Sequence, residues 1–364
     1  MTPTPRLEPS SRPPESESHT RQPEIPSPRG DLSSQVIAAL RDGTPPDALV
    51  PQQDAITTVE PYGEDLQLAL YVLYELHYRG FHGVDPELEW DPGLLALRRL
   101  LEQRFLTALR TDAAPHTDAA QALADLQIEP VGHQDSSVSH HLERDGDTRQ
   151  FREYAALRSL YHLKEADPHA WVIPRLTGRA KAAMVAIEYD EFGAGRAEDI
   201  HAGLFAALMK DLGLETAYGH YLDAAPAAAL ATVNLMSLFG LHRSLRGALV
   251  GHFATVEITS SPGSRRLANA LRRLGAGPAA QRFYDEHVEA DAVHEQVVRH
   301  EVVDGLLAVD PSLDGDVAFG VSGTGFLEER LGEHLLARWR RGESALLRPL
   351  PPDPDDTPPQ GGTP

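Results

Sequence analysis

From about residue 31 to residue 345 one pattern dominates the chain: apolar residues return every three or four positions, and no stretch alternates apolar with polar as a strand would. Asp65–Tyr78 (DLQLALYVLYELHY) is so dense in apolar residues that it predicts a buried helix, and Gly80 is placed to end it. Pro92 stands near the start of a second predicted helix, Leu94–Leu109. After a polar stretch, the same period predicts helices at Tyr154–Glu165, Arg179–Glu191, Glu198–Leu212, Ala227–Phe239, His242–Val256, Ser264–Leu274, Ala279–Leu307 and Gly325–Trp339. No internal repeat of fixed period is visible. The fold class is all-α, a bundle whose site lies between facing helices.

The polar stretch, Gly132–Thr148 (GHQDSSVSHHLERDGDT), predicts a linker. The two ends differ in another way. Residues 1–30 are rich in Pro, Ser, Glu and Arg, and residues 346–364 run into PPDPDDTPPQGGTP. Neither end can bury enough surface to offset its ordering entropy, so both predict disorder. The expected organisation is therefore a tail (1–30), an N-terminal helical region (31–131), a linker (132–149), the main bundle (150–345) and a second tail (346–364).

Charge and composition narrow the function. Net charge is −21 with no basic block, which suits neither nucleic acid nor an anionic lipid surface. No apolar run approaches the ~18 residues of a membrane span, and the first residues carry no apolar signal core. A soluble cytoplasmic protein is expected, without nucleic-acid or membrane partners. There is no cysteine, which excludes disulfides, iron–sulfur clusters, thiolate haem and cysteine nucleophiles. His, Asp and Glu remain as strong metal ligands, a set suited to iron or manganese.

The strongest chemical signal is RFYDEHVEADAVHEQVV, in which His287, Asp291 and His294 have the spacing H-x3-D-x2-H. At about 100° per residue, Asp291 sits roughly 40° from His287 and His294 about 20° to the other side. All three therefore share one narrow helix face, as a metal triad requires. A solvated polar face is the plainer explanation unless other helices supply partners.

Two places have the context to do so. Glu165, in LYHLKEADPHAW, falls where one helical piece ends and Asp167-Pro168 reads as the cap and first turn of the next. Glu191 and His201, in AIEYDEFGAGRAEDIH, would lie about 80° apart on a regular helix. Gly193 and Gly195 intervene, and a break there brings both to one point. A second arrangement is open: a ferritin-like set of Glu165, Glu198-x2-His201, Glu257 and Asp291-x2-His294. It leaves His287 unexplained and ignores the glycine break.

Together with the wording KEADPHAW and YDEFGAGRAEDIH, these residues resemble the haem-oxygenase-like diiron oxidases, also called iron-containing redox enzymes. In that family one helix gives a glutamate, a second region gives a glutamate and a histidine some ten residues on, and a late helix gives H-x3-D-x2-H. The resemblance spans roughly residues 151–340. It implies a haem-oxygenase-like helical bundle in which Glu165, Glu191, His201, His287, Asp291 and His294 hold two non-haem iron ions. It also implies dioxygen as co-substrate and a small organic substrate. Known reactions of the family include N-oxygenation of amines and guanidines, decarboxylation of fatty acids to alkenes, and fragmentation of amino acids. A homodimer is compatible with this reading. Phe283 and Tyr284, one turn before His287 on nearly the same face, read as core aromatics, with a wall of the oxygen site as the alternative.

Overall fold

The computed structural model describes residues 21–42, 56–113, 118–128 and 134–351, without the side chains of residues 289–292. Every regular element among the described residues is helical. The N-terminal region gives α1 (Asp31–Asp42), α2 (Glu64–Glu75), α3 (Pro92–Asp112) and α4 (Ala119–Leu126). Helix α2 is buried over nearly its whole surface, as its apolar density requires, and ends three residues short of Tyr78. Asp91 caps α3 by accepting from the amides of Gly93 and Leu94, ahead of a first-turn proline. Helix α1 was not predicted. Its free amides are capped from another helix, by the Asp65 carboxylate on Leu32 and Ser33.

The remainder comprises α5 (Val138–Arg144), α6 (Thr148–His162), the short α7 (Asp167–Ala170), α8 (Gly178–Glu191), α9 (His201–Asp211) and α10 (Ala227–Leu241). These are followed by α11 (Arg246–Leu274), α12 (Pro278–Val297), α13 (Asp304–Val309) and α14 (Asp314–Arg340). Four differences from the sequence pattern have physical causes. Helix α5 lies inside the expected linker. Ser137 caps it and its fully buried Leu142 anchors it against α11, too little apolar signal to show a period. Helix α11 runs through Pro262, where two helices were expected. The lost hydrogen bond and ring clash cost about 3 kcal/mol, and both halves bury apolar residues that offset it. The expected helix Ala279–Leu307 is instead interrupted by a π turn, Val298–Val303, along which Val298, Val302 and Val303 are buried. Helix α14 begins well before Gly325, through the glycine-rich GDVAFGVSGTG. Glycine serves packing here: a Cβ on Gly320 or Gly251 would overlap the backbone of the facing helix, so α11 and α14 cross in close contact.

The tails are also shorter than composition suggested. Residues 21–30 lie extended on the bundle: the Ser27 amide donates to Asp223 at 2.8 Å, and Arg29 reaches Glu64 and the carbonyls of Leu222 and Ala225. At the other end Leu346 is buried and the Leu347 amide donates to Ala224 O at 2.8 Å. These segments are held by hydrogen bonds to distant residues, which composition does not reveal. Residues 1–20 and 352–364 lie outside the described residues.

One hydrophobic core joins the N-terminal helices to the rest, with α2 against α10 and α4 against α11 and α14. Helices α11, α12 and α14 form its centre, and α9 packs on α12. Among the described residues no helix is long and apolar enough to cross a membrane.

Candidate metal centre

Glu165 stands in the turn between α6 and α7. The turn passes through Ala166 at φ 74°, left-handed backbone that a non-glycine residue adopts at a cost of about 1–3 kcal/mol. Ala166, not Asp167, occupies the cap position, and Asp167 opens α7. The strain is held from outside. Arg79 donates to Leu163 O at 3.1 Å, and Lys164 is tied to Glu75 at 2.6 Å.

Glu191 is the last residue of α8 and His201 the first of α9. Between them Gly193, Ala194 and Gly195 all have positive φ, and a Cβ on Gly193 would strike the backbone of Asp199 and Ile200. Only glycine permits so tight a return. It brings Glu191 Oε2 to 2.7 Å from His201 Nδ1. The two atoms are outside hydrogen-bond geometry, so His201 Nδ1 is buried without a hydrogen-bond partner, as is Glu165 Oε2.

Helix α12 contributes both of its histidines. His287 Nδ1 lies 2.7 Å from the Phe283 carbonyl, which can only accept, so Nδ1 carries the proton. Its Nε2 lone pair then faces Glu165 Oε1 at 3.9 Å. His294 Nε2 meets Asp190 Oδ2 at 3.3 Å, while Nδ1 lies 3.3 Å from Glu257 Oε2 and 3.8 Å from Glu191 Oε1. A histidine that gives one N–H to a carbonyl or carboxylate and presents the other nitrogen is the usual orientation of a metal ligand.

Two convergent groups result. Glu165, Glu191, His201 and His287 form one, and Glu191, Glu257 and His294 the other, with the ligand atoms of each group within 4.8 Å of one another. All six residues are buried. Asp291 lies on α12 between the two histidines, but its side chain is outside the described residues. Glu198 is exposed on a 3-10 turn and belongs to neither group. Glu257, on α11, enters the second group although its sequence context singled it out only within the ferritin-like set.

The field of the site is strongly negative. Burial alone would lower the pKa of His294, but Glu257 and Glu191 raise it to about 9. His201 is likewise raised, burial being outweighed by Glu191. Burial would raise Glu165, yet His162 beside it, joined by His287 when that ring is protonated on both nitrogens, holds its carboxyl well below the usual range. Burial, reinforced by Glu191 and Glu257, pushes Glu188 up to about 9. Glu188 lies on α8 one turn before Glu191, with both oxygens buried and without hydrogen-bond partners. Sequence reasoning missed it because an acidic residue in an acidic helix carries no signal of its own. Buried carboxylates and imidazoles whose lone pairs converge fit a hard or borderline cation such as iron.

A cavity of about 460 Å³ adjoins the first group at Glu165, Glu191 and His287. Tyr161, Met236, Phe253, Leu267, Phe283 and Tyr284 wall it. It is large enough for a small organic molecule.

A comparison with curated proteins gave no match. The family model described as iron-containing redox enzyme matches residues 152–324, a stretch that carries Glu165, Glu191, His201, Glu257, His287 and His294. Residues 152–324 are thus similar to the iron-containing redox enzymes of haem-oxygenase-like fold, and this similarity supports an iron-dependent oxidoreductase.

Proposed function

We propose that the protein is a non-haem diiron oxygenase or oxidase that uses dioxygen to oxidise a small organic molecule. The observation that carries this reading is the place of Glu191: its carboxylate belongs to both convergent groups, so it would be shared between the residues that hold two ions. Glu165, His201 and His287 would complete one ion's ligands, and Glu257, His294 and Asp291 the other's. Bound ferrous iron would supply the site for dioxygen and the electrons that reduce it.

The chain's own residues set the conditions for that chemistry. Asp190 and the Phe283 carbonyl fix which nitrogen of His294 and of His287 is presented. Phe283 and Tyr284 keep the cavity wall apolar beside the cluster. The catalytic unit would be residues 150–345, with residues 31–131 buttressing it through the shared core. Substrate would enter the 460 Å³ cavity and meet the cluster at Glu165 and His287.

The test is anaerobic Fe(II) titration of the purified protein, followed by stopped-flow mixing with oxygen. About two irons per chain and an oxygen-dependent absorbance transient are expected. Binding of a single iron, or none, would overturn the diiron reading.

A further inference from the structure

His162, the last residue of α6, belongs to neither convergent group, yet it meets the surroundings of every histidine and carboxylate in the first except Glu191. Its Nδ1 lies 3.0 Å from Glu165 Oε1. A carboxylate that holds a cation can only accept, so Nδ1 carries the proton and donates it. The helix does little to aim Glu165, which stands beyond the end of α6 in the turn strained at Ala166.

The imidazole is held in its turn. Phe205 lies 4.6 Å from it, centroid to centroid, and Phe283 meets it edge-on at 5.2 Å. The two phenylalanines touch each other at 5.0 Å, which closes a packet of three rings. Phe205 is on α9, one turn after His201, and Phe283 is on α12, one turn before His287. Phe283 also packs on the His287 ring at 4.4 Å, and its carbonyl fixes His287 Nδ1. The His287 and His201 rings then meet at 4.6 Å. A continuous line of contacts thus runs from Glu165 through His162 and Phe283 to His287 and His201. Phenylalanine would complete such a packet equally well. The imidazole differs from it by the N–H given to Glu165.

Resting on the reading of this cluster as an iron site, we propose that His162 is a positioning residue: it aims the Glu165 carboxylate and, through Phe205 and Phe283, sets it in register with His201 and His287. Three ligands of one ion are then converged in the chain itself, as a preorganised site requires. The competing account is a plain ion pair at a helix end, which would contribute to stability and not to the metal.

The test uses the full-length chain loaded anaerobically with Fe(II), and with Co(II) as a spectroscopic probe. Two matched comparisons isolate the donor. His162→Phe keeps a ring and removes the N–H. His162→Asn places an N–H where Nδ1 stands, and His162→Leu has the same size without it. In competitive chelator titrations H162F is expected to bind one ion about 10–100-fold more weakly than the wild type, with the other near normal. H162N should recover most of that loss, and H162L should not. The Co(II) ligand-field spectrum should change in H162F and H162L and return in H162N. Denaturant unfolding of the metal-free variants is measured alongside. Lower stability with unchanged affinity and spectrum would overturn the proposal in favour of the helix-end ion pair, and so would equal affinity in H162N and H162L. If H162F does not fold, the Asn and Leu pair decides in the same way. A wild type that takes up one iron removes the diiron reading and leaves the comparison to be made on that ion, whereas one that takes up none overturns both.

Discussion

The Lys164 ammonium lies 2.6 Å from the Glu75 carboxylate, and both side chains are sealed from solvent. Glu75 ends α2 and also accepts from the Tyr218 hydroxyl at 2.9 Å, while Lys164 sits 4.4 Å from the Tyr78 ring centroid. Lys164 immediately precedes Glu165. The N-terminal region thus grips the turn that presents a candidate iron ligand. Removing one partner of a buried ion pair costs about 3–5 kcal/mol, so Glu75→Gln should lower unfolding free energy by that order in denaturant titration. It should also weaken iron binding. Adding Lys164→Met should restore much of the stability, because no charge is then stranded. Equal destabilisation by single and double variants would show that the pair is not coupled.

Glu191 and Glu198 make opposite predictions. Glu191→Ala removes the carboxylate shared by both groups, and both irons and the oxygen transient should be lost. Glu198 is exposed, so Glu198→Ala should change stability by less than about 1 kcal/mol and leave iron content intact. Iron analysis of the two variants decides it. A normal transient in the first and none in the second would favour the ferritin-like set.

Asp190 orients His294 without belonging to either group. Losing such a partner typically costs 10–100-fold in metal affinity. Asp190→Ala should therefore weaken binding of one iron by about that factor and leave the other near normal. Unchanged affinity in competitive chelator titrations would remove Asp190 from the site.

The metal-free protein should lose stability as pH rises. His294 has a pKa of about 9, above its unfolded value of 6.5, so its contribution is full below 6.5 and lost as pH passes through about 9. Glu188 holds its proton to about 9 where the unfolded chain releases it at 4.5, so it too binds more protons when folded. Both give a fall in stability toward pH 9, and Glu188→Gln and His294→Gln should each flatten the profile. Iron requires a deprotonated His294, so loading should improve over the same range. A wild-type profile flat from pH 6 to 9 would contradict both assignments.

The helical period, the absence of cysteine and the H-x3-D-x2-H spacing were readable because each is a local property of the chain. Helix geometry alone aligns His287 with His294, and Gly193 and Gly195 announce a break by their own backbone freedom. The meeting of Glu165, Glu191, His201 and His287 is a different kind of fact. It depends on how α6, α8, α9 and α12 pack, and many of the chain's 54 acidic residues had equal local claims. Glu257 and Glu188 show this plainly, since only burial beside Glu191 distinguishes them from acidic residues on the surface. Arg158 and Glu328, both on the cavity wall, pair across 170 positions of the chain. The sequence by itself determined the fold class and the kind of metal chemistry, which are set by periodicity and ligand type. The tertiary structure alone decided which carboxylates share a site and what faces the cavity, because convergence in space is set by packing between distant helices.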